Sequence, residues 1–218
     1  MIHSTSPNYD DRKPDANVDM LVLHYTGMRD GHVALERLRD PVTKVSAHYM
    51  IDEDGTVYAL VDEELRAWHA GVSCWAGQRD VNGCSVGIEL VNPGHELGYR
   101  PFPAKQNDAL VMLAEDVVSR HAIPAHRVLG HSDVAPARKQ DPGELFDWAG
   151  LARAGIGMWP EQGTEDPVLE EFGYDVTGAG QAACATAFQR HWRPGKIDGF
   201  MDDECIRLLA GLLDRMHR

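Results

Sequence analysis

The sequence predicts an α/β fold in which short apolar strands alternate with helices, followed by a small unit of three short helices. Three observations carry this. Met20-Leu-Val-Leu-His24-Tyr25-Thr26 is a continuous apolar run of strand length ending in a His, which suits a strand buried on both faces. Residues 46–51 and 56–61 are two more apolar runs, joined by the turn signal Asp52-Glu-Asp-Gly55. Residues 104–121 place Leu110, Leu113, Ala114, Val117 and Val118 at helical spacing.

Taken in order, residues 1–17 are polar, carry Pro7 and Pro14, and read as an irregular arm. The strand ending at His24 follows. A His at a strand end before Thr-Gly lies where α/β proteins place their sites, and a core His bonded to backbone is the other reading. A weak helical pattern over 33–38 stops at Pro41. After the hairpin, residues 63–67 are too short for more than a helical turn. Trp68-His69-Ala70-Gly71 sets aromatic rings beside small residues; a ligand wall and plain Trp packing are both open.

Residues 72–84, rich in Gly, Ser, Asn and Cys, read as a long surface loop. Cys84-Ser-Val-Gly-Ile-Glu89-Leu-Val91 is a strand with a carboxylate inside an apolar run. An unpaired carboxylate there is costly, so Glu89 is expected to be paired, metal-linked or catalytic. Residues 92–103 form a loop with three prolines, and the 104–121 helix ends before Pro124. Residues 146–155 read as a short helix. A linker is placed at 156–165, dividing the chain into 1–160 and 161–218. Helical segments near 166–172, 180–192 and 202–216 follow, with Asp202 as the N-cap of the last.

Composition narrows the function classes. The 218 residues are 43% hydrophobic, enough for a real core. A net charge of −13 argues against nucleic acid and anionic lipid as partners. The four cysteines form no C-x-x-C pair, so zinc-ribbon and thioredoxin-type readings fail. Free, mostly buried thiols are expected, and Cys74–Cys84 or Cys184–Cys205 disulfides stay open. No window approaches a membrane span. The N-terminus has no basic or apolar leader pattern, so a cytoplasmic location is expected, or a periplasmic or outer-membrane one if the native N-terminus was trimmed. A monomer is expected.

Chemistry concentrates in Val128-Leu-Gly-His131-Ser-Asp133-Val-Ala-Pro136-Ala-Arg138-Lys139-Gln-Asp141-Pro142-Gly143. Imidazole and carboxylate together suit zinc. In an extended backbone Lys139 and Asp141 would point to one side. A polar loop with a solvated charge cluster is the bland alternative. Set beside His24 and Glu89, the inventory fits metal-assisted hydrolysis of an amide or ester.

These blocks carry a resemblance. Leu23-His24-Tyr25-Thr26, Ala67-Trp68-His69-Ala70-Gly71, Ser85-Val-Gly-Ile-Glu89 and Gly130-His131 through Gly143 resemble, in order, the zinc-dependent N-acetylmuramoyl-L-alanine amidases of the AmpD/AmiD-like type, relatives of peptidoglycan recognition proteins. The resemblance covers about residues 18–155. It implies a mixed central sheet flanked by helices, and zinc held by His24, His131 and Asp141. It implies Glu89 as general base and Lys139 as the cation facing the developing oxyanion, with Tyr25, Trp68 and His69 lining the groove. The substrate would be a muropeptide or peptidoglycan, including 1,6-anhydro forms, cut between the lactyl group of N-acetylmuramic acid and L-alanine for cell-wall recycling or remodelling. His48 is expected to be structural, and Asp133 to be outer support rather than a ligand.

The tail, Ala187-Phe-Gln189-Arg-His-Trp192-Arg-Pro194 with Ile197-Asp198-Gly199, resembles a three-helix peptidoglycan-binding module. The further Gly usual beyond Asp-Gly is replaced by Phe200-Met201-Asp202. Glycan binding and a purely stabilising appendage are both open for it. For the whole chain, the alternative to an enzyme is a binding-only recognition protein, which typically lacks a zinc ligand.

Overall fold

The computed structural model describes residues 1–217. The polar arm supplies two exposed edge strands, β1 (Ile2–His3) and β2 (Tyr9–Asp11), where composition predicted irregular chain. The apolar run forms β3 (Met20–Tyr25). Helix α1 (Gly31–Arg39) starts from Asp30, whose side chain accepts from the Val33 amide. The hairpin is β4 (Tyr49–Ile51) with β5 (Val57–Ala59). Residues 65–67 are extended, not helical: β6 (Leu65–Ala67) pairs antiparallel with β2. A single turn, α2 (Val81–Cys84), leads into β7 (Ser85–Leu90). Another, α3 (Gly94–Leu97), precedes the long helix α4 (Ala104–His121) that the spacing predicts.

Strand β8 (Val128–Gly130) runs directly into α5 (His131–Val134), and α6 (Trp148–Arg153) follows. The tail forms α7 (Leu169–Phe172), α8 (Val176–Ala179), α9 (Gln181–Trp192) and α10 (Asp203–Met216). Asp202 caps the last of these as expected, accepting from the Cys205 amide.

The fold is a mixed central sheet flanked by helices, with strand order β1-β5-β4-β7-β3-β8. Every pairing is parallel except β4 with β5. In the central strands the side chains alternate between two cores, as period 2 requires. Leu21, Leu23, Val86, Ile88 and Val128 face Leu110, Leu113 and Val117 of α4. Met20, Val22 and Leu129 face the other way, into a core with Phe188 and Trp192 of α9 and Leu209 and Leu212 of α10. The C-terminal helices therefore cover the second face of the sheet.

Two readings of the connecting segments change accordingly. The 72–84 stretch is not a surface loop: Cys74, Trp75, Val81 and Cys84 are buried, and Trp75 packs edge-on against Phe172 and Tyr174. Its polar composition hid one large apolar anchor. Residues 156–165 are not a free linker. Ile156 and Met158 are buried, and the Gly163 amide donates to the Arg207 carbonyl of α10. The four cysteines are buried and unpaired. Among the described residues, no helix is long and apolar enough to cross a membrane.

Candidate active site

Parallel pairing brings the carboxyl ends of β3, β7 and β8 to one edge. His24 is opposite Glu89, and Leu23 is opposite both Ile88 and Gly130, the residue before His131. The chain turns at Gly130, so His131 enters the same space as the first residue of α5. Asp141 is bound back to this turn, its carbonyl accepting from the Ser132 amide. His24, His131 and Asp141 are all buried, and one donor atom from each lies within 4.8 Å of the others. His24 Nδ1 is 2.9 Å from His131 Nδ1, and Asp141 Oδ2 is 3.1 and 3.0 Å from the two.

The far side of each ring fixes its tautomer. His131 Nε2 donates to the Ala70 carbonyl at 3.0 Å. His24 Nε2 donates to His69 Nδ1 at 3.0 Å; His69 Nε2 donates to Ser85 Oγ, and that hydroxyl to the Val81 carbonyl. With the Nε2 positions protonated, both Nδ1 atoms present lone pairs toward each other and toward a carboxylate oxygen. Three convergent lone pairs in a buried space suit a cation, and two imidazoles plus one carboxylate are the donor set of a catalytic zinc site. The residues present therefore fit a metal ion.

The Trp68-His69-Ala70-Gly71 block is thus the brace behind both imidazoles. Asn82 Oδ1 holds it, accepting from the Ala70 and His69 amides at 2.7 and 3.2 Å. Glycine is required beneath it, because a Cβ on Gly87 would meet His69 Cγ at 2.5 Å. Trp68 borders the pocket, and its indole donates to Asp10 Oδ1 at 3.0 Å. His48 is structural as expected: its Nδ1 accepts from the Gly87 amide and its Nε2 donates to the Leu65 carbonyl.

Electrostatics match this arrangement. Burial, then the neighbouring His131, pushes His24 down to about 4, so it is neutral at pH 7. Burial pushes the Asp141 carboxyl up, but His131 and His24 outweigh it and hold it well below the carboxylate range. Burial, reinforced by the Asp141 charge, raises Glu89 to about 8 against a weaker pull from Lys139. Glu89 Oε2 is sealed from solvent and has no hydrogen-bond partner. Among the described residues the Lys139 ammonium makes no ion pair.

His131, Asp141, Glu89, Lys139, Trp68 and His69 line a cavity of about 450 Å³. Tyr25 lines it too, its hydroxyl donating to His95 Nδ1 at 2.9 Å, while His95 Nε2 donates to Glu144. Burial raises the Tyr25 phenol to about 12, keeping it a donor. The residues that the resemblance assigned to the site thus line this cavity or, for His24, meet His131 and Asp141 beside it. His95 and Arg37 also line the cavity without having been singled out in the sequence, and Arg138 of the quoted stretch lines it beside Lys139. His95 falls in the 92–103 loop and Arg37 is an exposed position of the weak 33–38 helical pattern, where a polar residue is the ordinary expectation.

Comparisons agree with the geometry. Residues 14–144 match the family model described as N-acetylmuramoyl-L-alanine amidase. The chain is similar to the N-acetylmuramoyl-L-alanine amidase AmiD of Escherichia coli K12, at 35% identity over 91% of this chain and 83% of that protein. It is also similar to the 1,6-anhydro-N-acetylmuramyl-L-alanine amidase AmpD of Enterobacter cloacae, at 34% identity over 67% of this chain and 86% of that one. Among solved structures, AmpDh3 from Pseudomonas aeruginosa superposes with a TM-score of 0.83 at 33% identity over the whole of both chains. The E. coli AmiD complex with anhydro-N-acetylmuramic acid-L-Ala-D-γ-Glu-L-Lys superposes with a TM-score of 0.81, covering 94% of this chain and 92% of that one.

Proposed function

The chain belongs to the N-acetylmuramoyl-L-alanine amidase family, and on that premise we propose a zinc-dependent mechanism for its hydrolysis of the amide between the lactyl group of N-acetylmuramic acid and L-alanine. His24, His131 and Asp141, which offer converging donor atoms, would hold the ion. When bound, zinc supplies the Lewis acidity that makes water a competent nucleophile near neutral pH. The observation that carries the reading is Glu89. Its orphaned, buried Oε2 borders the same cavity as the donor set.

The protein's own groups divide the remaining work. Glu89 accepts the proton of the attacking water and returns it to the departing L-alanine nitrogen. Lys139, unpaired in the cavity wall, stabilises the oxyanion that develops on the lactyl carbonyl. Tyr25 and Trp68, both in the cavity wall, contact the substrate. Anhydro-N-acetylmuramyl peptides are the substrate class we favour, because the related amidases named above act on or bind such compounds. The binding-only reading is not favoured, since His131, Asp141, Glu89 and Lys139 line one cavity and His24 completes the donor set beside it.

The test is a product assay by mass spectrometry on a soluble anhydro-muropeptide and on intact sacculi, with and without a zinc chelator. Chelator-sensitive release of an L-Ala-headed peptide is expected from the soluble substrate. Release from sacculi as well marks a wall-acting enzyme. No release from either by zinc-loaded protein would sink the catalytic reading.

A further inference from the structure

Asp133 lies two residues beyond His131 on α5 and is wholly buried. Its carboxylate accepts three hydrogen bonds. Oδ2 takes the Gly130 amide at 2.8 Å and His191 Nδ1 at 2.7 Å, and Oδ1 takes the Tyr174 hydroxyl at 2.6 Å. The first bond spans the turn that delivers His131 from β8 into the donor set. The other two donors come from the C-terminal part of the chain, more than forty residues away.

Both donors are rigidly mounted. The His191 imidazole is stacked between Trp148 and Trp192, with ring centroids 3.6 and 3.5 Å away. Tyr174 is buried edge-on against Trp75 at 4.9 Å. A second line starts at the residue preceding His191 on α9. The Arg190 guanidinium lies 3.9 Å from Glu144, which accepts from His95, which accepts from the Tyr25 hydroxyl in the cavity wall. Apolar side chains could pack these helices onto the sheet at least as well as a buried carboxylate does. A carboxylate with three donors adds direction: it orients one peptide unit.

We propose that the C-terminal helices are a positioning element of the active site, with His191 and Tyr174 holding Asp133, and through it the Gly130–His131 turn, in the geometry the donor set needs. His191, Tyr174 and Asp133 are positioning residues; none touches substrate. This rests on the reading of His24, His131 and Asp141 as a metal site. A helical unit that only anchored the enzyme to glycan would not need to reach the ligand-bearing turn.

The test uses the full chain. His191→Phe and Tyr174→Phe each remove one donor and keep the ring. Zinc affinity is measured by competition with a chromophoric chelator, and hydrogen exchange at the Gly130 and His131 amides is followed in the metal-free protein. Each variant is expected to weaken zinc binding roughly 3- to 10-fold, less than the roughly 10- to 100-fold typical of groups bonded directly to a ligand. Exchange at Gly130 is expected to speed up. His191→Asn, whose amide replaces the Nδ1 donor, is expected to recover part of the affinity although the stack is lost. Leu212→Ala, in the core of α10, controls for stability and is expected to lower the melting temperature with zinc affinity unchanged.

Unchanged zinc affinity and unchanged Gly130 exchange in His191→Phe would overturn the proposal. So would a Leu212→Ala variant that weakens zinc as much at equal loss of melting temperature. If the wild-type protein binds no zinc, the metal reading itself fails, and exchange at Gly130 alone decides whether the C-terminal helices hold the turn.

Discussion

His24 and Glu89 stand directly opposite one another on neighbouring parallel strands, an imidazole of the donor set beside a carboxyl with a buried, unpartnered oxygen. The parallel pairing of β3 and β7 makes this juxtaposition, and it separates two jobs that single substitutions can tell apart. Glu89→Ala removes the proton acceptor and leaves His24, His131 and Asp141 in place. Turnover is expected to fall by about 10²- to 10⁴-fold with zinc stoichiometry unchanged, measured by metal analysis beside the product assay. His24→Ala is expected to lose both. Near-wild-type turnover in Glu89→Ala would remove Glu89 from the mechanism.

The same carboxyl sets a stability signature in the metal-free protein. Folding raises Glu89 to about 8 from the ordinary 4.5, mainly by burial. The folded state therefore keeps a proton that the unfolded state releases. That stabilising contribution is complete below about pH 4.5 and is lost as pH rises through 8. Glu89→Gln mimics the protonated form at every pH. It is expected to melt a few degrees above wild type at pH 8.5, where about 1 kcal/mol corresponds to roughly 2–4 °C in a chain this long, with the gap closing at pH 5. Equal melting temperatures at both pH values would mean that Glu89 is already ionised without metal.

Much of this site was legible in the residues because parallel strands end where α/β sites lie. The run ending at His24, the carboxylate inside the 84–91 strand and the dense stretch after Val128 each violate an expectation about apolar strands or loops. The jobs of His69 and Ala70 were not legible. Their ring and carbonyl serve by touching other side chains from behind, and no spacing rule encodes that. Nor was the packing of α9 and α10. The unbroken apolar run of β3 says that both faces are covered, yet periodicity along one strand cannot name the second cover. The strands β1, β2 and β6 gave no signal because two or three residues are too few to display a period of two.

On the acid side, the buried imidazoles reverse the sign. Burial, then His131, lowers His24 to about 4, while burial, then the Arg12 charge, lowers His48 to about 3. Both stay neutral when folded and take up a proton when unfolded below about pH 6.5. Their contribution is full above 6.5 and declines as pH falls toward 4 and 3. His69 and His191, also held down by burial, add to this loss, and the raised Glu89 opposes it, so denaturant melts of the metal-free protein are expected to lose stability from pH 6 to 4 with a net slope above the roughly 1.4 kcal/mol per pH unit of a single proton. A flat profile across that range would show that these imidazoles already carry protons in the native state.

A substitution that touches no ligand tests whether the brace behind the donor set matters. A Cβ on Gly87 would stand 2.5 Å from His69 Cγ and 2.6 Å from its Nδ1, the atom that accepts from His24 Nε2. Gly87 lies in the interior of β7, so the strand cannot yield without disturbing β3 and β4 on either side. The imidazole must move instead, and His24 then loses the acceptor that fixes its tautomer. Gly87→Ala is expected to weaken zinc binding by about 10- to 100-fold, the range for removing an outer partner of a ligating His. His69→Ala should give a loss of similar size, and the double variant little more than either alone, because both break the same hydrogen bond. Chelator competition on the three proteins measures this directly. Additive losses would mean that Gly87 acts through the sheet and not through His69.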